Sequence, residues 1–262
     1  MNNSQNYSKK DILKFLRRIG VDTRFISLHE SKIYINHLRF SKFSRRREEI
    51  FKNKFNDISI LRSTIFQKIA IKSSKSLSHS IGIRDNVLIF NHTKRDVLLN
   101  IILEPYLRKY GINLIHSDLK SYDDFIKLKD LKETTEFLKN NNIDCVVSSI
   151  AMDEEVDSIL SVILSGKGLK SYLQYIKFTN SDLRIKFLYP FINNVDKDSI
   201  ETVCRILEIN GEDKIDYERN ELAKKFMKFL DDLIPYYKEN ILKSTNFLKN
   251  PQTSSNKYGF GK

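Results

Sequence analysis

The spacing of hydrophobic positions along this chain changes several times, and the changes mark out its elements. Between Asn86 and Gly168 short apolar runs alternate with segments of helical period. The run Val87-Leu88-Ile89-Phe90 breaks into a polar turn, Asn91-His92-Thr93-Lys94-Arg95-Asp96. Val97, Leu98, Ile101, Ile102 and Leu107 then recur at helical spacing, up to Lys109-Tyr110-Gly111. Ile112 to Ile115 and Cys145 to Ile150 are further apolar runs, the second reached through a helical pattern from Leu131 to Lys139. Continuous apolar runs separated by helical segments predict βαβ units on a parallel sheet. A late run, Arg184 to Phe191, and a helix over Ser199 to Glu208 continue the alternation.

The first third reads differently. Ile12, Leu13, Phe15, Leu16 and Ile19 make the apolar stripe of a helix that Gly20 stops. Phe25-Ile26-Ser27-Leu28 and Lys32-Ile33-Tyr34-Ile35 predict a hairpin around His29-Glu30-Ser31. A helix follows Arg45-Arg46-Arg47 through Phe51, Phe55 and Ile58. Residues 59–80 predict another, with Ile60, Leu61, Ile65, Phe66 and Ile69, giving way to a Ser/Lys linker over Lys72 to Ser80. Toward the other end, Asp153-Glu154-Glu155 opens a helix with Val156, Ile159, Leu160, Ile163 and Leu164 on its apolar face, closing at Gly166-Lys167-Gly168. Asn220 to Leu242 predicts a long amphipathic helix, interrupted near Pro235, that packs back onto the sheet. The organisation expected is a basic helical and hairpin extension over 1–80, an α/β domain over 81–245 and a flexible tail over 246–262.

Composition narrows the function classes. No apolar run approaches the length of a membrane span, and Met1 to Asn6 lacks the apolar core of a secretion signal, so a cytoplasmic protein without a membrane partner is expected. The two cysteines, Cys145 and Cys204, fall in an apolar strand run and a helical run, as buried free thiols do, and two alone cannot build a metal site. His29, His37, His79, His92 and His116 are scattered without ligand spacing. No triad, general base, metal site or cofactor follows from these residues.

Charge adds the first positive indication. Residues 1–80 carry 18 Lys and Arg against 6 Asp and Glu, and the remaining residues carry 27 of each, so the whole net charge of +12 belongs to the first third. A basic module beside a neutral domain points to a polyanion partner. Arg39, Lys42, Arg45, Arg46 and Arg47, interleaved with Phe40 and Phe43, are the candidate RNA contacts.

Ligands of open α/β sheets bind outside the carboxyl ends of the strands, which places the Asn91–Asp96 turn where a phosphate site would stand. That turn contains no glycine. His92 is able to donate to a phosphate. Asp153, after the third run, is able to reach a nucleotide or its magnesium, though first-turn carboxylates also suit the helix dipole.

In order and pattern, residues 85–245 resemble the PP-loop ATPases that modify tRNA, in particular the 2-thiouridine and 2-thiocytidine synthetases. These have a strand, a Ser-Gly-Gly-x-Asp-Ser loop and a helix. Here Asn91 stands at the first Ser, His92 and Thr93 at the two Gly, Lys94 at the variable position, Arg95 at Asp and Asp96 at the last Ser. Val146 to Ile150, Met152-Asp153-Glu154-Glu155 and Ser165 to Gly168 are similar to the next strand, acidic turn and glycine-rich helix end. Arg184 to Phe191, Asp198 to Glu201, Phe229 to Leu233 and Lys238 to Ser244 are similar to its late strand and C-terminal helices. The resemblance implies a parallel sheet flanked by helices, of the adenine nucleotide alpha hydrolase-like type.

Both loop glycines are missing, no cysteine pair stands where the thiolating enzymes carry theirs, and Asn36 to Phe43 lacks the Cys-x-x-Cys of the family's zinc module. One branch of the family, the non-catalytic partner of the wobble-uridine thiolase, shares these losses. The resemblance therefore implies a pseudoenzyme subunit that binds tRNA and, as a heterodimer, the catalytic PP-loop thiolase subunit. Asn91, His92, Thr93, Lys94, Asp96 and Asp153 would form its vestigial nucleotide site. Two other readings stay open: an active PP-loop enzyme of thiolase or lysidine-synthetase type, with Lys94 and Asp153 on ATP, or an RNA-binding α/β protein with no role in thiolation.

Overall fold

Ser8 starts the first helix by accepting the Asp11 amide on its hydroxyl, and the rest of the N-terminal module follows in short pieces. The computed structural model describes residues 7–117, 131–167, 185–192, 195–212 and 220–249. The sequence features placed at Met1 to Asn6, Gly168, Arg184 and 250–262 lie outside them. The first 80 residues hold α1 (Lys9–Arg18), β1 (Ile26–His29), β2 (Lys32–Ile35), α2 (Leu38–Ser41), α3 (Arg45–Lys52), β3 (Ser59–Leu61) and α4 (Thr64–Ser80). β1 and β2 form the expected antiparallel hairpin, with Ile26 opposite Ile35, and β3 adds to β2 in parallel. The stripe of α1 packs with Ile26, Ile33, Ile35, Phe43, Phe51 and Phe55 as a core of its own.

Three local expectations change here. The helix expected to run through Phe55 and Ile58 ends at Lys52, and those two residues follow it in turns. Ile60 and Leu61 sit in β3 rather than in a helix, because β2 offers them an edge to pair with. The Ser/Lys stretch after Lys72 is the second half of α4 and not a linker. Ser73 and Leu77, four residues apart, turn inward and are buried, so this face continues the stripe of Phe66, Ile69 and Ala70. That stripe belongs to the main core, with Val87, Ile89, Leu98 and Ile102.

The main sheet contains β4 (Asn86–Ile89), β5 (Asn113–His116), β6 (Cys145–Val147) and β7 (Lys186–Leu188), in the order β5-β4-β6-β7 and all parallel. Leu88 of β4 faces Ile115 of β5 on one side and Val146 of β6 on the other. Helices α5 (Lys94–Tyr110), α6 (Leu131–Asn140), α7 (Met152–Leu164) and α8 (Lys197–Ile206) flank it. The strand order reverses direction between β4 and β6, the kind of place where ligands of open α/β sheets bind, outside the carboxyl ends. The parallel α/β architecture expected from the alternating runs is the one observed.

Helix α5 joins the two layers. Buried Glu104 pairs with Lys9 at 2.7 Å and with Arg108 at 2.7 Å, and it accepts the Leu28 amide at 3.3 Å. Arg108 in turn donates to the carbonyls of Thr23 (2.8 Å) and Ile26 (2.6 Å). The N-terminal module is thus fixed on the C-terminal half of α5.

The long helix expected over Asn220 to Leu242 is two, α9 (Glu221–Leu233) and α10 (Tyr237–Lys249), split at Pro235. They pack on α7, through Ala223, Leu230, Tyr237 and Leu242 against Met152, Val156, Ile159 and Leu160, and not on the sheet. Helix α10 also runs through 246–249, which the sequence reading gave to the tail.

Candidate functional site

At the end of β4 the chain leaves the sheet through buried Phe90 and exposed Asn91 and enters α5 at Thr93. In a phosphate loop the amides at this helix start would be offered to an anion. Here the protein uses three of them itself. The Thr93 amide donates to Asp96 Oδ2 at 3.1 Å, and the Asp96 amide donates to Thr93 Oγ1 at 3.2 Å, forming a reciprocal capping box. The Lys94 amide donates to the Glu212 carbonyl at 3.0 Å, while the Glu212 amide donates to the His92 carbonyl at 2.9 Å. The segment carrying Gly211 and Glu212 therefore lies along the loop like a short parallel strand.

Gly211 permits that approach. A Cβ there would stand 2.8 Å from the Lys94 nitrogen and 3.0 Å from the Thr93 carbonyl carbon, and its φ of +146° is one that side-chain-bearing residues rarely adopt. The loop is also closed from the β6 side. Ser149, just past that strand, donates its hydroxyl to Asp96 Oδ1 at 2.6 Å, and Thr93 donates its hydroxyl to Oδ2 at 2.7 Å. The Asp96 carboxylate thus occupies the helix N-terminus with its own negative charge, where a phosphate would otherwise gain from the dipole.

The next residue position explains Arg95. It is 3% exposed and pairs at 2.8 Å with Glu154, which is 7% exposed, and at 2.8 Å with the more open Glu201. Burial works against its charge, the two carboxylates outweigh it, and its pKa rises above the usual arginine value. The second oxygen of Glu154 accepts the Ala151 amide at 3.0 Å, so the carboxylate is fully used. Arg95 ties α5 to α7 and α8 from the position where the resembling loop carries Asp.

Asp153 is also engaged. Its Oδ1 accepts the Lys197 amide at 2.9 Å, at the start of α8, and burial holds its carboxyl above the ordinary range with that amide pulling the other way. Asn91 accepts a hydrogen bond from Asn100 at 3.0 Å. Beside the loop, an open cavity of about 880 Å³ is lined by Lys94, Arg95, Lys197, Glu201, Cys204 and Arg205, among others. Cys204 is buried and donates to the Lys94 carbonyl at 3.6 Å. Cys145 is buried in β6, and burial pushes its thiol up to about 12.

The candidate RNA contacts lie elsewhere. Arg39, Lys42, Arg45 and Arg46 are exposed on α2, the turn after it and the first turn of α3. Arg47 is half-buried and donates to the Lys42 carbonyl. Phe40, between Arg39 and Lys42, lines a cavity of about 370 Å³ with Tyr106 and Lys109 from the last turns of α5. Tyr106 is twelve residues along α5 from Lys94, which is about 18 Å of helix. The structure gathers the loop residues and places the basic cluster toward the other end of that helix.

Sequence reasoning missed Arg95, Ser149, Glu154, Gly211 and Glu212. One signal was present: an arginine in the first turn of a helix opposes the dipole and calls for a buried partner. For Gly211 and Glu212 there was none, since their pairing with the loop is a long-range backbone contact.

At the reversal point of the open parallel sheet the loop-to-helix turn is thus closed on itself. The comparisons agree with that fold. No family model matches the chain. Over 94 residues it is 30% identical to a probable sulfurtransferase of Methanocaldococcus jannaschii, a stretch covering 35% of this chain and 28% of that protein. The match thus spans less than a third of that relative. Among solved structures, the fold is similar to the U34-tRNA thiolase NcsA of Methanococcus maripaludis with its 4Fe–4S cluster, with a TM-score of 0.53 and 13% identity, covering 71% of this chain and 79% of that one.

The residues present here do not fit such a cluster. Iron–sulfur clusters are held mainly by cysteine thiolates, three or four in number, and this chain has two cysteines. Among the described residues no three His, Cys, Asp or Glu side chains are grouped to hold a metal ion, and no helix is long and apolar enough to cross a membrane.

Proposed function

We propose that this chain is a cytoplasmic, non-catalytic subunit of a tRNA wobble-uridine 2-thiolation complex, of the kind represented by cytoplasmic tRNA 2-thiolation protein 2. It binds tRNA and a catalytic thiolase subunit that has an intact phosphate loop. The observation that carries this reading is the self-occupied start of α5 in a fold similar to a tRNA thiolase. The amides of Thr93, Lys94 and Asp96 already have partners in Asp96, Glu212 and Thr93. A pyrophosphate would have to displace an internal carboxylate and a backbone pairing to reach them.

The basic cluster supports the tRNA half of the reading. Arg45 and Arg46 stand exposed in the first turn of α3, where they oppose that helix's dipole; Arg45 is offset by Glu48 at 3.2 Å, and with Arg39 and Lys42 they present a basic surface to a polyanion. The test is co-purification of the tagged chain from its own cells, with wobble 2-thiouridine measured in cells lacking it. Recovery of a loop-intact thiolase, together with loss of the 2-thio group, is the expected result. A chain that purifies alone, with the modification intact in its absence, would overturn the proposal.

A further inference from the structure

A stripe of exposed apolar side chains runs the length of α9. Its inner face, Ala223, Met227 and Leu230, packs on α7. On the adjoining face, about a quarter turn round the helix, Leu222 (55% exposed), Phe226 (37%), Phe229 (57%) and Leu233 (59%) follow one another at spacings of four, three and four. The Phe226 and Phe229 rings stack on each other, with centroids 6.3 Å apart. That spacing is the seam of a coiled coil, and apolar stripes left in water mark interfaces.

We propose that α9 pairs antiparallel with α9 of a second copy of this chain. The four-three-four spacing reads the same from either end, as an isologous two-fold contact requires. With the axis between Met227 and Lys228, Phe226 faces Phe229 of the second copy and Leu222 faces its Leu233. The flanking charges fit the same arrangement. Lys225 and Asp232 each precede a seam residue on one edge of the stripe, and antiparallel pairing sets Lys225 of each copy beside Asp232 of the other.

Of the other charges of the helix, Glu221 pairs with Lys224 at 2.8 Å and Asp231 with Lys238 at 3.0 Å, and Lys228, on neither edge of the stripe, takes no part in the seam. Lys225 and Asp232 form no ion pair among the described residues. A parallel pairing would set Phe226 against Phe226 and leave Lys225 beside Leu230, with no acidic partner. The contact uses neither the loop nor the basic cluster, so it stands independently of the thiolation reading.

Sedimentation of the full chain from about 1 to 100 μM tests it. The expected result is a reversible dimer. Phe226→Asp with Phe229→Asp, both on exposed positions, gives a monomer with unchanged far-ultraviolet circular dichroism. Lys225→Asp alone and Asp232→Lys alone each weaken the dimer about tenfold, since two attractive pairs become repulsive. The two charge changes together restore it. A monomer at every concentration overturns the proposal and assigns the stripe to a different occupant. A dimer indifferent to the phenylalanine changes overturns the face. Failure of the paired charge changes to restore association overturns the antiparallel register, and this arm holds even if the double phenylalanine variant does not fold.

Discussion

Replacing Arg95 by methionine removes the guanidinium and keeps most of its alkyl volume. Glu154 then remains 7% exposed with the Ala151 amide as its retained partner among those described above, while Glu201, half in solvent, relaxes into water. Breaking a buried pair from one side leaves an uncompensated charge and costs about 3–5 kcal/mol, whereas the exposed Glu201 contact contributes at most about 1 kcal/mol. For a chain of this size that corresponds to a fall in Tm of about 10 °C. Arg95→Met with Glu154→Gln removes the stranded charge, and the glutamine oxygen still accepts from Ala151. That variant is expected within about 2 kcal/mol of the wild type. Urea denaturation and thermal circular dichroism measure both. If the single variant lies within about 1 kcal/mol of the wild type, the pair does not behave as buried. If the double variant is as unstable as the single, the defect lies in packing and not in an unpaired carboxylate.

Three further outcomes follow from the site. Gly211→Ala places a Cβ against the Lys94 and Thr93 backbone and is expected to cost about 1–3 kcal/mol in urea denaturation; a neutral result would mean that the segment does not lie on the loop. Asp153→Asn keeps the acceptor for the Lys197 amide and removes a carboxylate whose pKa burial has raised. A raised carboxyl pKa means that the folded protein binds more protons than the unfolded one above the ordinary carboxylate range, so wild-type stability falls there as pH rises. The variant should match the wild type in acid and equal or exceed it at neutral pH in thermal melts, and a lower neutral Tm would sink this assignment. Replacing Arg39, Lys42, Arg45 and Arg46 by alanine should weaken tRNA binding at every sequence tested and reduce the slope of log K against log salt by about 3; an unchanged slope would exclude the cluster.

Much of the fold was legible because its signals are local. The runs at Val87 and Cys145 are buried in the middle of a parallel sheet, so they read as continuous apolar stretches, the run at Ile112 forms its half-exposed edge, and the helices between them carry the longer period. The errors came where tertiary contacts override local pattern. Ile60 and Leu61 read as helix until β2 supplies an edge, and the serines after Lys72 read as a linker until Ser73 is seen facing the core. The break at Pro235 was visible, but not that the segment would lie on α7. At the site, the absence of glycine from Asn91 to Asp96 announced a changed loop. What replaced the ligand, the Asp96 carboxylate and the Glu212 backbone, was not legible, since Glu212 lies more than a hundred residues downstream of the helix start it satisfies.

Titration of magnesium ATP into the purified full-length chain tests the closed loop most directly. With the Thr93, Lys94 and Asp96 amides engaged and Asp96 holding its own negative charge at the start of α5, saturable binding is not expected below about 1 mM. A dissociation constant near 10 μM, about what a working phosphate loop would give, would contradict the account.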